Sequence, residues 1–330
     1  MFEELGFLGN AIILLASLVF LALASEFTIN NAVKVSEATG LGKTTVGFVL
    51  VGFATSLPEL SVSIFAVASP GSVGVAIGNV LGSNIVNIAL VLGLCILLVV
   101  LKRPRYPSFL LTLAKEEMGS LRFGLFIASI IPLALLYIGY ASRFIGVVLL
   151  AIFVYYMIQL ARTRRPREEG TMAPGKGKIR GYALLALAGI AGVVASAFFI
   201  VETASFIATS VGIPAVVIGA TVIALGTSIP ELATSVSSVR KGHFNLALGN
   251  IVGSCFINIT CILGVALIVS PLTVNIAAFS NLVMFSLIIN LFLWYFLSSE
   301  KISWREGALL LFLYAVFLVI SLGRVSPTQG

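Results

Sequence analysis

Residues 52–61 read GFATSLPELS, and residues 226–235 read GTSIPELATS. Each places Thr-Ser-x-Pro-Glu, Thr55–Glu59 and Thr227–Glu231, inside chain otherwise apolar enough for lipid. Proline has no backbone N–H, so the carbonyl one turn earlier loses its donor. Both segments therefore predict a helix broken beside a carboxylate. Ser-x-x-Glu is also a capping box, and proline suits a first helical turn. On that reading the helix simply restarts, and Glu59 satisfies backbone donors. Serine or threonine could cap the turn alone, whereas a charge at mid-membrane costs roughly 2.5–3.5 kcal/mol on insertion scales. Incurring that cost at two related positions points to a site.

The surroundings set the class. The chain has 330 residues, 59% hydrophobic and only 10% charged, with a mean hydropathy of +1.13. Soluble domains carry about 25% charged residues, so this is a polytopic membrane protein. A helical span needs about 20 apolar residues. Ten such stretches are found, at 9–33, 44–68, 75–101, 122–140, 143–161, 180–209, 213–239, 246–269, 276–298 and 304–323. The predicted fold class is an all-α bundle of ten transmembrane helices. The opening MFEELGFLGNAIILLASLVFLALASE has an acidic start and a long apolar run, so it reads as the first helix and not as a cleaved leader.

The net charge of +7 does not point to nucleic acid, because the cations are unevenly spread. With the N-terminus outside, the cytoplasmic segments hold Lys34, Lys43, Lys102, Arg103, Arg105, Lys115, Arg122, a cluster over 162–180, Arg240, Lys241, Lys301 and Arg305. That is eighteen of the twenty, leaving Arg143 and Arg324 outside. This positive-inside bias predicts a plasma-membrane protein with both termini out and the central loop cytoplasmic. Anionic lipid is a secondary contact for the same charges. Cys95, Cys255 and Cys261 all fall in apolar spans and read as small hydrophobes. No disulfide or soft-metal site is assigned to them. His243, the single histidine, sits in a short basic loop.

The chain repeats itself. GFVLVGFATSLPELSVSIFA (47–66) matches GATVIALGTSIPELATSVSS (219–238), offset by 172 residues. GNVLGSNIVNIALVLG (78–93) matches GNIVGSCFINITCILG (249–264), offset by 171. The predicted division is a five-helix repeat over 1–161, a basic linker over 162–180 and a second five-helix repeat over 181–330. An odd number of helices per half makes the second half enter the membrane inverted, the arrangement of secondary transporters that bind substrate near the midplane.

Carbonyls freed near Thr55 and Thr227, hydroxyls of Ser56 and Ser228, and carboxylates of Glu59 and Glu231 are all hard oxygen ligands. Calcium takes 6–8 such oxygens, and sodium also prefers oxygen. In the second block, Asn79, Ser83 and Asn87 are spaced by four, as are Asn250, Ser254 and Asn258. On a helix each set lies along one face. Beside them Gly78, Gly82, Gly249 and Gly253 read as a helix-packing stripe. Asn87 and Asn258 read as ligands. The chain has no aspartate, which excludes EF-hand loops. Glu26 and Glu202 also fall in spans but do not align under the repeat, and they read as interface or gating residues. A carboxylate pair carries −2, which one Ca²⁺ or two monovalent ions neutralise. Competition between those occupancies is a physical basis for exchange.

On the TSLPE/TSIPE and GN-x-x-GS-x-x-x-NI blocks, the chain resembles the cation/calcium exchanger superfamily, and within it the prokaryotic sodium/calcium exchangers. The resemblance implies that Glu59 and Glu231 bind Ca²⁺ with the carbonyls of Thr55 and Thr227. Sodium sites would use Ser56, Ser83, Ser228 and Ser254, with carbonyls near Gly52 and Ala224. Asn87 and Asn258 would line the middle, and helices 9–33 and 180–209 would slide as the gate. The transported ions would be Ca²⁺ and Na⁺, with no further cofactor, and the functional unit is expected to be a monomer. Two departures stand out. Asn258 replaces an Asp of some relatives, and Ala54 stands where the second half has Gly226.

The function expected is a secondary antiporter exchanging Na⁺ for Ca²⁺. The alternative is Ca²⁺/H⁺ exchange, since buried carboxyls can carry protons. The Thr-Ser-x-Pro-Glu context, against the Gly-Asn-x-x-Glu of the proton-coupled branch, favours sodium. A cation channel with a glutamate ring is disfavoured by the inverted repeat. An intramembrane enzyme using Ser and Glu is disfavoured because no base–nucleophile pattern, motif aspartate or buried histidine supports it, so no enzyme activity is expected.

Overall fold

The computed structural model describes residues 4–39, 55–69, 72–101, 108–110, 115–162, 176–273, 276–299 and 301–323. Gly52, Ala54, the start of the second apolar stretch and most of the central linker lie outside these. The helices are α1 (Gly6–Thr39), α2 (Leu57–Ala68), α3 (Val73–Leu101), α4 (Lys115–Ile138), α5 (Arg143–Arg162), α6 (Lys176–Val211), α7 (Ala215–Thr227), α8 (Ile229–Arg240), α9 (Phe244–Val269), α10 (Ile276–Ser299) and α11 (Trp304–Gly323). Helix is the natural state here, because lipid offers no partner for a backbone group.

Seven of these helices are long and apolar enough to cross a membrane, or eight if α7 and α8, bent by 44° at Ser228, count as one span. Ten stretches were expected. The difference lies at the second stretch, of which 44–54 falls outside the described residues and Leu57–Ala68 is helical, and at α5, whose apolar part Arg143–Gln159 is short. Helices α1 and α6 exceed a straight crossing: 34 residues extend roughly 50 Å at 1.5 Å per residue, which calls for tilt.

Polarity runs inside out relative to a soluble protein. The long helices α3 and α9 are the most enclosed, 67% and 83% buried over their apolar windows, against 28% for α1 and 22% for α11. Leu8, Phe144 and Val319 face outward, while Glu59, Asn79, Ser83, Asn87, Thr227, Glu231, Ser254 and Asn258 are fully enclosed. An apolar exterior around a hydroxyl- and amide-rich centre is what a bilayer solvent selects.

Backbone contact sets the centre. A Cβ at Gly78 would overlap the Val216 carbonyl and lie 2.7 Å from the Ala220 nitrogen, and one at Gly82 would sit 2.5 Å from the Ala220 oxygen. The first-half glycines are thus the packing stripe expected of them, and they let α3 lie directly on α7. Helices α1 and α6 form a second close pair. There a Cβ at Gly189 would overlap the Thr28 hydroxyl, one at Gly192 would lie 3.1 Å from the Ala24 methyl, and the Lys34 ammonium sits 5.3 Å over the Tyr182 ring.

Two short antiparallel strand pairs tie the ends of the bundle. β1 (Ser108–Leu110) pairs with β4 (Lys301–Ser303), and β2 (Tyr140–Ala141) with β3 (Leu272–Thr273). Each pair joins loops that the charge pattern assigns to one side of the membrane. Each also links one half of the chain to the other.

Candidate functional site

The site begins at the two helix breaks. Ser56 (φ −86°, ψ 3°) and Ser228 (φ −84°, ψ 5°) precede α2 and α8 in the same non-helical conformation, each followed by proline in the first turn. Neither serine makes a side-chain capping bond, so the capping-box reading fails at both positions. The hydroxyls turn across the molecule instead. Ser56 Oγ lies 3.3 Å from Ser254 Oγ, and Ser228 donates to Glu59 Oε1 at 3.4 Å.

Both carboxylates are wholly buried. Ser254 donates to Glu231 Oε1 at 3.2 Å. The Thr227 hydroxyl also faces Glu59, and that of Thr55 faces Glu231. Glu59 thus draws both its hydroxyls from the opposite half of the chain, whereas Glu231 draws Thr55 from the opposite half and Ser254 from its own, and the two are near enough for their charges to repel. The Ala224 carbonyl is not free in this arrangement. It accepts the Ser228 N–H at 3.1 Å and the Thr227 hydroxyl at 3.3 Å. Gly52 lies outside the described residues.

The asparagines divide into two kinds. Asn79 donates to the Glu59 carbonyl and to Ser63 Oγ, both at 3.1 Å, and accepts from Thr227 Oγ1 at 3.1 Å. Asn250 likewise donates to Ser235, the repeat partner of Ser63, at 3.2 Å. These two clamp α3 to α2 and α9 to α8. Asn87 and Asn258 are different. Asn87 donates its amide to Ser254 Oγ at 3.2 Å, and Asn258 donates to Asn84 Oδ1 at 3.0 Å. Ser83 lies 3.3 Å from Thr227 Oγ1.

Among the buried polar atoms without a hydrogen-bond partner is a repeat-related set of oxygens at these residues: Glu59 Oε2, Glu231 Oε2, Asn87 Oδ1 and Asn258 Oδ1. A buried acceptor left without a donor costs about 1–3 kcal/mol. Four in symmetric pairs are a strain that a cation, a partner which needs only lone pairs, would relieve. Among the described residues there is no cluster of three or more His, Cys, Asp or Glu.

Two features were not legible in the sequence. Asn87 lies in a π-helical turn, Val86–Leu92, and Asn258 opens another, Asn258–Ile262. Such turns widen a helix locally and recur at functional sites. The spacing of four holds only up to the start of the first. The second is Asn84, adjacent to the matched positions but without an asparagine counterpart, since its repeat partner is Cys255. Glu202 accepts from Ser69 Oγ at 3.4 Å, tying α6 to the end of α2, and Glu26 is exposed on α1.

Known proteins share this architecture. The family model described as "Sodium/calcium exchanger protein" matches residues 9–161 and 181–323. The sodium/calcium exchanger MaX1 of Methanosarcina acetivorans is 32% identical, covering 94% of this chain and 98% of that protein. The inner membrane protein YrbG of Escherichia coli is 29% identical over 82% of each. The sodium-calcium exchanger NCX_Mj superimposes with a TM-score of 0.64 at 26% identity, covering 96% of this chain and 99% of that one. The H⁺/Ca²⁺ exchanger CAX, at 19% identity, shares the fold with a TM-score of 0.71 over 97% and 93%.

Proposed function

The chain belongs to the sodium/calcium exchanger protein family, and from that premise we propose that it is a secondary antiporter moving Na⁺ against Ca²⁺ across the plasma membrane. The observation that carries this reading is the set of four enclosed oxygens without donors. With Glu59 Oε1 and Glu231 Oε1, which accept serine hydroxyls, they make six oxygens, the lower end of what calcium takes. The serines can rotate their protons away and offer lone pairs. Carbonyls of Thr55 and Thr227 complete the calcium shell, and Ser56, Ser83, Ser228 and Ser254 with the carbonyls of Gly52 and Ala224 hold sodium. For Ala224 this requires the Thr227 hydroxyl to give way.

Charge balance drives exchange. One Ca²⁺ neutralises the −2 of the carboxylate pair, and so do two Na⁺, so each ion displaces the other. Access alternates by sliding of the closely packed α1–α6 pair past α2, α3, α8 and α9, which carry the carboxylates and asparagines of the site. The twofold match of one family model and the π turns at Asn87 and Asn258 support the inverted repeat of five and five helices. The strand pairing of loops carrying Lys301 with those following α3 supports a cytoplasmic end there, and so both termini outside. The protomer contains a complete set of these groups and works as a monomer.

The deciding experiment is ⁴⁵Ca²⁺ uptake into proteoliposomes. An outward Na⁺ gradient at fixed pH should drive uptake, and a pH gradient without sodium should not. The reverse result would assign the carboxylates to proton carriage, because the same unpaired Oε2 atoms can take protons. Saturation without a counter-ion requirement would indicate a channel.

The hydroxyls allow a finer test. Ser83→Ala and Ser254→Ala should each raise the sodium concentration for half-maximal exchange by about 5-fold, on the order of one lost hydrogen-bond-strength contact. Half-saturation for calcium should move less than twofold. Equal shifts for both ions would remove the separate sodium sites.

A further inference from the structure

Asn258 presents an orphaned oxygen to the site, and an amide can equally well present its NH₂. What decides between them lies behind it. Asn84 donates Nδ2 to the Cys255 carbonyl at 3.4 Å. A backbone carbonyl can only accept, so Asn84 must turn its NH₂ that way and its Oδ1 the other. Asn84 Oδ1 then accepts the Asn258 amide at 3.0 Å, which turns Asn258 Oδ1 toward the unpaired set. The polarity of both amides is thereby fixed by one peptide carbonyl. The two helices are also joined in the other direction, with Cys255 Sγ 3.9 Å from the Asn84 carbonyl.

The other half is held differently. The Asn87 amide rests on the Ser254 hydroxyl, which itself donates to Glu231 Oε1. That chain ends on a proposed ion ligand, so the orientation of Asn87 depends on what Glu231 binds. The Asn84–Asn258 relay ends on backbone and does not. Asn84 is buried, 1% exposed, and reaches the site only through Asn258.

We propose that Asn84 is a positioning residue which holds Asn258 as a preset, neutral oxygen ligand, making the centre of the site selective for a cation bound by an amide oxygen. A carboxylate at 258 would face Asn84 Oδ1 acceptor to acceptor, so the relay also favours Asn over Asp at that position. This inference rests on the cation-site reading given above.

The test is calcium binding to purified protein, read by ⁴⁵Ca²⁺ equilibrium binding and by Ca²⁺-induced thermal stabilisation. Asn84→Leu, close in shape but with no acceptor, should weaken calcium binding by about 10-fold. In an Asn258→Ala background the same change should alter binding by less than about twofold, because coupled residues are non-additive. A purely structural Asn84 would lower binding equally in both backgrounds, and that result would overturn the proposal. Unaltered binding by Asn84→Leu would also overturn it. If Asn84→Leu does not fold, Asn84→Ala carries the same comparison, and failure of both makes the residue structural and ends the proposal. Absence of calcium binding by the wild-type protein would instead defeat the cation-site reading itself.

Discussion

Glu59→Gln should abolish calcium transport, lowering initial ⁴⁵Ca²⁺ uptake by about 100-fold or more, and Glu231→Gln should do the same. Replacing one carboxylate leaves −1 to meet a divalent ion. A unit charge about 4 Å away is worth on the order of 4 kcal/mol at an effective dielectric of 20, and each 1.4 kcal/mol is tenfold in affinity. The structure lets loss of a ligand be separated from loss of the fold. Both side chains are wholly buried and their charges repel, so the ion-free variants should melt no lower than wild type. Their stabilisation by added Ca²⁺ should vanish. A folded variant with wild-type uptake would remove the glutamate from the site.

Gly78→Ala should be among the most damaging added methyls at the described glycines. Its Cβ would overlap the Val216 carbonyl and crowd the Gly219 carbonyl carbon at 3.0 Å, all backbone atoms with no rotamer to yield. Helices α3 and α7 must then part, and with them the Ser83–Thr227 contact. Overpacking costs 1–3 kcal/mol or more, which for a chain of this size is roughly a 2–4 °C fall in melting temperature. Gly119→Ala, at a glycine with nothing within 4 Å, should melt as wild type. Equal melting of the two variants would mean that the close approach of α3 and α7 is not needed for stability.

The sequence carried the membrane class and the buried carboxylates of the candidate site. Both follow from solvent physics: apolar runs of span length are unmistakable, and a carboxylate inside one is too costly to be incidental. The sequence set Asn87 apart from Asn79 by its place one turn beyond the serine, but it could not say what either amide is bonded to, since both share a helical face and a residue type. The partners supply that: Asn79 is held by Glu59 and Ser63, 20 and 16 residues away in its own half, and Asn87 by Ser254, 167 residues away in the other. The capping box at Ser56–Glu59 was a sound local reading that tertiary contacts overrode, because the serine hydroxyl found a partner across the interface.

The order of apolar and polar residues along the chain therefore determined which segments leave water, where helices break and which oxygens enter the interior. That is local information, written in hydropathy and in the missing N–H of Pro58 and Pro230. Tertiary structure alone decided which of those oxygens stay without a donor and which way each amide points. Such choices depend on atoms brought together from opposite halves, through glycine contacts and widened helical turns that have no one-dimensional signature.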